Sequence, residues 1–413
     1  MRDAEIVKLR DVASRVVSRN SVGNANVLTI SAAHGFVSQE NYFSRRVASS
    51  NLSQYYLVRK GDFAYNKSYS VGWPAGVVRR LQGHAEGVVS PLYICFRPDS
   101  RRVDPSFLQY YFDSGILNDD ILWIAKEGAR NHGLLNVGVE DFFDLSLRLP
   151  SLPEQRRIAE VIAEIDAQIS TARAVLQKRE MAQSGLLAKL FESGLHLGRG
   201  SIQSAIGELP SGWKVLPISE VCEVGSGSTP SRAEGELFFS PSGVPWVKTL
   251  DLNEGVISVT QECVTEIALQ SFRMRTYRPG TVLLAMYGGW GQIGRTAMLG
   301  CPAAVNQALS ALEVKEGVKV LPEFLHLALQ HGRLRWRKMG ASTRKDANIT
   351  KSDVEAFLIP IPEIHEQDQI TRIMADLSHQ KLEGDAFLAK LQLLKRSAMV
   401  DLFSGQVRVP CAV

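Results

Sequence analysis

Pro150-Ser151-Leu152-Pro153-Glu154-Gln155 leads into Ile158, and 212 residues later Pro362-Glu363-Ile364-His365-Glu366-Gln367 leads into Ile370. The same offset carries Lys126, Gly128, Ala129, Asn136 and Asp141 onto Lys338, Gly340, Ala341, Asn348 and Asp353, and Leu190-Phe191 onto Leu402-Phe403. The register holds without a gap over about 65 residues, so the chain carries an internal duplication. Between the matched blocks the halves diverge. A frame kept twice around unlike contents places two different recognition surfaces in equivalent positions.

The matched blocks open long helices. From Ile158, apolar residues recur at Ile162, Ile165, Ile169, Ala172 and Leu176, then at Leu186 and Leu190; Arg179 and Gln183 interrupt the seam. The second copy reads Ile370, Met374, Leu377, Leu388, Leu391, Ala398 and Leu402, interrupted by Lys381, Gly384 and Lys395. Steps alternating between four and three give the coiled-coil period. Ser151 with Glu154 spells a capping box, whereas Glu363 replaces the serine in the second copy. Gly194 and Gly405 supply C-terminal stops. Neither helix buries such a seam alone. The pattern therefore predicts an α+β chain in which the two helices pair as an antiparallel coiled coil, with pseudo-twofold symmetry.

The boundaries follow: domains at residues 1–150 and 199–360, helices at 151–198 and 361–413. Both domains are mixed and strand-rich, with runs such as Tyr55-Tyr56-Leu57-Val58 and Thr281-Val282-Leu283-Leu284 punctuated by Gly and Pro. Pro105 and Pro322 each open a helix. The domain entries correspond as well: Leu9-Arg10-Asp11-Val12 with Ile218-Ser219-Glu220-Val221, and Lys60-Gly61-Asp62 with Pro279-Gly280-Thr281.

Composition narrows the class without naming a task. The chain has 413 residues, 45% of them hydrophobic and 22% charged, with a formal net charge of +4. Residues 1–150 carry 18 basic and 15 acidic side chains and residues 199–360 carry 17 and 15, so the excess lies in the divergent domains. That distribution suits a polyanion partner there. The amino-terminal residues form no apolar leader, no 18-residue apolar run occurs, and Cys95, Cys222, Cys263, Cys301 and Cys411 are scattered. A reduced, cytoplasmic setting without membrane attachment is expected.

These residues resemble a known family. The opening Gly212-Trp213 through Gly227-Ser228-Thr229-Pro230-Ser231, the Pro279–Leu284 run, Asn306-Gln307 and the two helix starts ending in Glu-Gln are similar to the specificity subunit of type I DNA restriction-modification systems. The resemblance covers the whole chain. It implies two target-recognition domains, each reading half of a split double-stranded DNA site, and helices that dock two methyltransferase subunits. It implies no catalysis and no cofactor in this chain. S-adenosylmethionine would belong to the methyltransferase partners, ATP and Mg²⁺ to restriction/translocase subunits. The first domain departs from the second, with Ser90-Pro91-Leu92-Tyr93 where Asn306-Gln307 is expected.

Arg and Lys suit guanine edges and phosphates, Asn and Gln suit adenine, and hydroxyls suit either. Loop clusters of those types give the DNA candidates. In the first domain they are Ser44-Arg45-Arg46, Lys67-Ser68-Tyr69-Ser70, Trp73 and Arg130-Asn131-His132; in the second, Lys248-Thr249, Tyr287, Trp290, Gln292, Asn306-Gln307 and Ser342-Thr343-Arg344-Lys345. The run Arg333, Arg335, Arg337 and Lys338, interleaved with Trp336, is expected to face the DNA backbone, and Asn136 and Asn348 to cap or brace a turn. The rival is a nucleotide- or S-adenosylmethionine-binding enzyme built on Gly289-Trp290-Gly291-Gln292-Ile293-Gly294. It requires a helix starting inside that motif, and the broken segment that follows predicts a turn between strands instead.

Overall fold

The computed structural model describes residues 4–43, 49, 51–70, 72–125, 133–195, 200–341 and 348–410. The chain divides into two compact units, residues 1–174 with 385–413, and residues 175–384. Both long helices, Leu152–Ser193 and Ile364–Ser404, contribute to each unit. The fold is α+β.

In the first unit Glu5–Lys8 pairs antiparallel with Ser146–Leu149. Behind it stands a four-stranded sheet in the order Ala13–Arg15, Ile94–Pro98, Phe63–Asn66, Val77–Arg80. Two separate two-stranded sheets accompany it: the hairpin of Leu28–Ser31 with Gly35–Ser38, and Tyr56–Arg59 paired antiparallel with Glu86–Val89. In the second unit Lys214–Pro217 pairs with Leu358–Ile361. A five-stranded sheet follows in the order Cys222–Ser226, Leu309–Val314, Val282–Ala285, Thr296–Leu299, Val256–Ile257. Its first four strands repeat the order of the first unit's sheet. The turn into each central strand repeats too. Gly61 (φ +96°) and Gly280 (φ +85°) occupy a conformation that side chains resist. Their amides donate to Leu81 O and Leu299 O, both at 2.8 Å.

The Glu-Gln pair at each helix start has a physical explanation. Gln155 is buried; its Oε1 accepts from Asp104 N at 2.8 Å, and its Nε2 donates to Arg102 O and Pro150 O. Gln367 is buried and does the same with Leu321 N at 2.9 Å, Lys319 O and Pro362 O. Each glutamine thus ties the long helix to the turn preceding the proline-opened helix, Pro105–Asp113 or Pro322–His331. The glutamates have partners beyond the cap amide expected of Glu154. Buried Glu154 takes both ends of the Arg408 guanidinium, at 3.1 and 2.8 Å. Buried Glu366 instead accepts from Trp213 Nε1 and Leu195 N, both at 3.2 Å. A buried carboxylate needs charged or multiple donors, and a single cap amide is insufficient.

Within each unit, residues of one long helix pack against residues of the other. In the first, Ile158 and Ile162 share a core with Met399, Leu402 and Phe403, while Ile165 and Ile169 meet Leu391. In the second, Leu190 and Phe191 share a core with Ile370 and Met374. The residues that interrupt the seam make contacts across it. Lys395 pairs with Asp166 at 2.7 Å, Lys381 with Glu180 at 2.7 Å, and Gln183 donates to Ser378 Oγ at 3.0 Å. Arg179 donates to Gln380 O at 3.1 Å. A Cβ at Gly384 would lie 2.6 Å from Leu176, so this glycine admits the buried leucine. The helices end at Gly194 (φ +66°) and Gly405 (φ +75°).

The cores differ between the units. Tyr65 stacks on Phe142 at 4.7 Å in the first, where Leu284 and Val354 stand in the second. The second unit also buries His326, whose ring lies 3.1 Å from Gln330 Nε2. Burial lowers its pKa from 6.5 to about 4, so the folded unit holds it neutral. That stability is complete above the unfolded value and is lost as pH falls from 6.5 through the folded value, a loss of about 3 kcal/mol. Unfolding followed between pH 7 and pH 4 is expected to show this acid loss, and His326→Gln to flatten it. Matching pH profiles for both proteins would contradict the assignment.

Candidate nucleic-acid interface

In each unit ten residues connect the central strand to the next: 67–76 between Phe63–Asn66 and Val77–Arg80, and 286–295 between Val282–Ala285 and Thr296–Leu299. The two connections share no sequence pattern, yet they are the same hairpin loop on the same sheet. Each lies along the chain segment that returns toward a long helix. Leu135 N donates to Lys67 O at 2.9 Å, and Ile349 N to Met286 O at 3.0 Å.

The second unit's loop presents Tyr287, 39% exposed, and Trp290, 55% exposed. Gly294 allows the loop to sit against buried Trp336, whose Cβ would lie 2.9 Å from an added methyl group. Two further segments adjoin it. Met286 N donates to Ala308 O at 2.9 Å, and Asn306 N donates to Val247 O at 3.0 Å. An added Cβ at Gly288 would lie 3.6 Å from the Thr249 methyl carbon. The segments that carry Lys248, Thr249, Asn306 and Gln307 thereby adjoin the loop that carries Tyr287, Trp290 and Gln292. Their electrostatics are less basic than their sequence. Lys248 Nζ pairs with Glu262 at 3.1 Å, and the Arg232 guanidinium foremost, then Lys248, holds that carboxyl below its ordinary pKa. Gln292 Oε1 accepts from Arg295 at 3.0 Å.

The first unit builds the same face from other letters. Ser90 stands where Asn306 does. Ser90 Oγ accepts from Leu92 N at 3.3 Å and Asn306 Oδ1 from Ala308 N at 3.2 Å. Tyr93 N donates to Ser90 O, as Leu309 N does to Asn306 O. A hydroxyl and an amide brace one turn. Tyr69 is 54% exposed on the hairpin, and Trp73 is half-buried with the Arg79 guanidinium 4.7 Å above its ring. Lys67 is turned to structural use: its ammonium donates to Val137 O at 2.6 Å. Burial first, and the Arg15 charge second, lower its pKa.

Arg45, Arg46, Arg130, Asn131, Arg344 and Lys345 lie outside the described residues, as do Ser44, His132, Ser342 and Thr343. Two expectations are corrected. Trp336 is fully buried and stacked on Phe357 at 3.5 Å, and Arg335 lies over the same ring at 4.2 Å and donates to Leu358 O. The 333–338 run therefore sends part of itself inward, because the indole and the arginine stem are worth more against an aromatic core than in water. Of the two roles expected of Asn348, to cap or to brace a turn, the cap of the following helix is not its own. Thr350 takes it, closing a capping box with Asp353, and Gly138 occupies the cap in the first unit. Sequence inspection passes over Leu92 and Leu250, 65% and 76% exposed on the two faces. An apolar letter in a turn carries no sign of its exposure.

Gly289–Gly294 turns straight back into the strand Thr296–Leu299, with no helix amino terminus to receive a pyrophosphate. Among the described residues no cluster of three or more His, Cys, Asp or Glu is placed to hold a metal ion, and no helix is long and apolar enough to cross a membrane.

Residues 210–386 match the family model described as the type I restriction modification DNA specificity domain. The MjaVIII type I restriction enzyme specificity subunit of Methanocaldococcus jannaschii is 23% identical over 78% of this chain and 75% of its own length. A chain from a structure addressing complex assembly and conformational transition of the type I R-M system superposes with a TM-score of 0.61 at 18% identity, covering 98% of this chain and 99% of that one. The type I S subunit of M. genitalium gives a TM-score of 0.55 at 13% identity over 97% and 96%. These two likenesses concern the fold.

Proposed function

We infer, from the chain's likeness to type I restriction-modification DNA specificity subunits, that each unit reads one half of a bipartite double-stranded DNA target. The supporting observation is the repeated face. One hairpin and one braced turn occupy the same sheet positions twice and carry different side chains, as two unlike half-sites require. Tyr69, Trp73 and the Ser90 turn would read one half; Tyr287, Trp290, Gln292, Asn306, Gln307 and Thr249 the other. Exposed Leu92 and Leu250 suit thymine methyl groups. Arg45, Arg46, Arg130, Asn131, Arg344 and Lys345 are proposed to add phosphate and base contacts.

The two long helices would act as an antiparallel coiled coil that sets the unread spacer and docks two methyltransferase subunits and the restriction/translocase subunits. Methyl transfer from S-adenosylmethionine and ATP- and Mg²⁺-dependent cleavage would be the partners' chemistry in the cytoplasm, with none in this chain. Four residues added between Ala174 and Val175 lengthen a helix by about 6 Å, which is about two base pairs of duplex. Methylome sequencing should then show a longer spacer between unchanged half-sites. A constant spacer with altered half-sites would refute the ruler.

A further inference from the structure

At the base of the second unit's hairpin, positive charge is gathered beyond what the fold neutralises. Glu254 is the shared acidic partner. Arg333 meets its carboxylate at 3.0 Å, and Arg295 Nε lies 4.0 Å away. Arg337 adds a third guanidinium, near enough for its charge to act on Arg333. Two cations thus share one carboxylate, and a third stands beside them. Arg333 also donates to Gly291 O at 3.2 Å, next to exposed Trp290, so the cluster adjoins the face that carries Tyr287 and Trp290. The fold bears a cost for it: the Nε groups of Arg333 and Arg337 are buried without a partner among the described residues.

The backbone bears a second, independent cost. Glu254 has φ +60°, the left-handed region that non-glycine residues avoid. It is pinned there on every side. Its amide donates to Thr296 O at 3.0 Å, its carbonyl accepts from Gln330 Nε2 at 2.8 Å, and its carboxylate accepts from Thr296 Oγ1 at 3.0 Å. A strained carboxylate held rigidly between arginines orients them, leaving their outer N–H groups for another anion.

We propose that Arg295, Arg333 and Arg337, positioned by Glu254, form a clamp for a DNA backbone phosphodiester flanking the half-site read by this unit. The proposal rests on the DNA-reading assignment and gives that face its phosphate register. Phosphate contacts of this kind fix orientation without reading sequence.

The test uses the chain assembled with its methyltransferase subunits and titrates salt against binding of a target duplex. Arg333→Gln should weaken binding roughly ten-fold at moderate salt and lower the salt slope by about 0.9, one phosphate's worth. Arg333→Lys should restore most of the slope. Arg278→Gln, which removes a partner of Glu313, should leave both unchanged. Arg295→Gln, checked for an unchanged melting profile, provides a second loss variant should Arg333→Gln destabilise the unit. A wild-type slope in both loss variants overturns the clamp while leaving DNA reading intact. Loss of inorganic phosphate binding with an unchanged DNA slope would also overturn it, assigning the site to a free anion. A wild-type assembly that binds no duplex specifically would overturn the reading beneath it.

Discussion

Gln367→Leu is expected to destabilise the second unit by about 3–5 kcal/mol, through three backbone groups left without partners at a cost of roughly 1–3 kcal/mol each. Leucine fills much of the same volume, so the loss measures polar pairing and not a cavity. Leu321 N loses its acceptor, and Lys319 O and Pro362 O lose their donor, all around a fully buried side chain. Gln155→Leu removes the matching set from Asp104 N, Arg102 O and Pro150 O and is expected to cost the first unit a similar amount. Hydrogen exchange should register the loss as faster exchange at the amides of Pro322–His331 in one variant and of Pro105–Asp113 in the other. A penalty below about 1 kcal/mol in both would mean that these glutamines do not anchor the frame.

Tyr287→Ala with Trp290→Ala is expected to leave the second unit's melting unchanged and to weaken specific DNA binding by about 3 kcal/mol, near 100-fold. Both rings are substantially exposed, so their removal opens no core void. Their value lies in desolvation against a partner. Tyr69→Ala should act likewise through the first unit.

The frame was legible because its physical demands recur unchanged. A buried glutamine holding three backbone groups has no substitute of the same geometry, so the Glu-Gln pair persists at both helix starts. Ile158, Ile162, Ile165, Ile169, Leu176, Ile370, Met374 and Leu391 are buried, and Leu377 and Leu388 partly so. The recognition faces were less legible. Ser90 and Asn306 do one job with different atoms, and only strand pairing shows that they are equivalent. The hairpins 67–76 and 286–295 align by length and position on the sheet, not by residue. Trp336 misled because an indole among arginines reads as a DNA-facing stripe, whereas Phe357, distant in sequence, draws it inward.

The central claim is that two separate faces of this chain each specify their own half of one target. Methylome sequencing tests it most directly, in cells carrying the methyltransferase partner with either the parent chain or the Tyr287→Ala, Trp290→Ala, Gln292→Ala variant. A split motif for the parent, and for the variant a motif degraded in one half with the other half and the spacer intact, is the predicted result. Degradation of both halves together, or an unchanged motif, would contradict it.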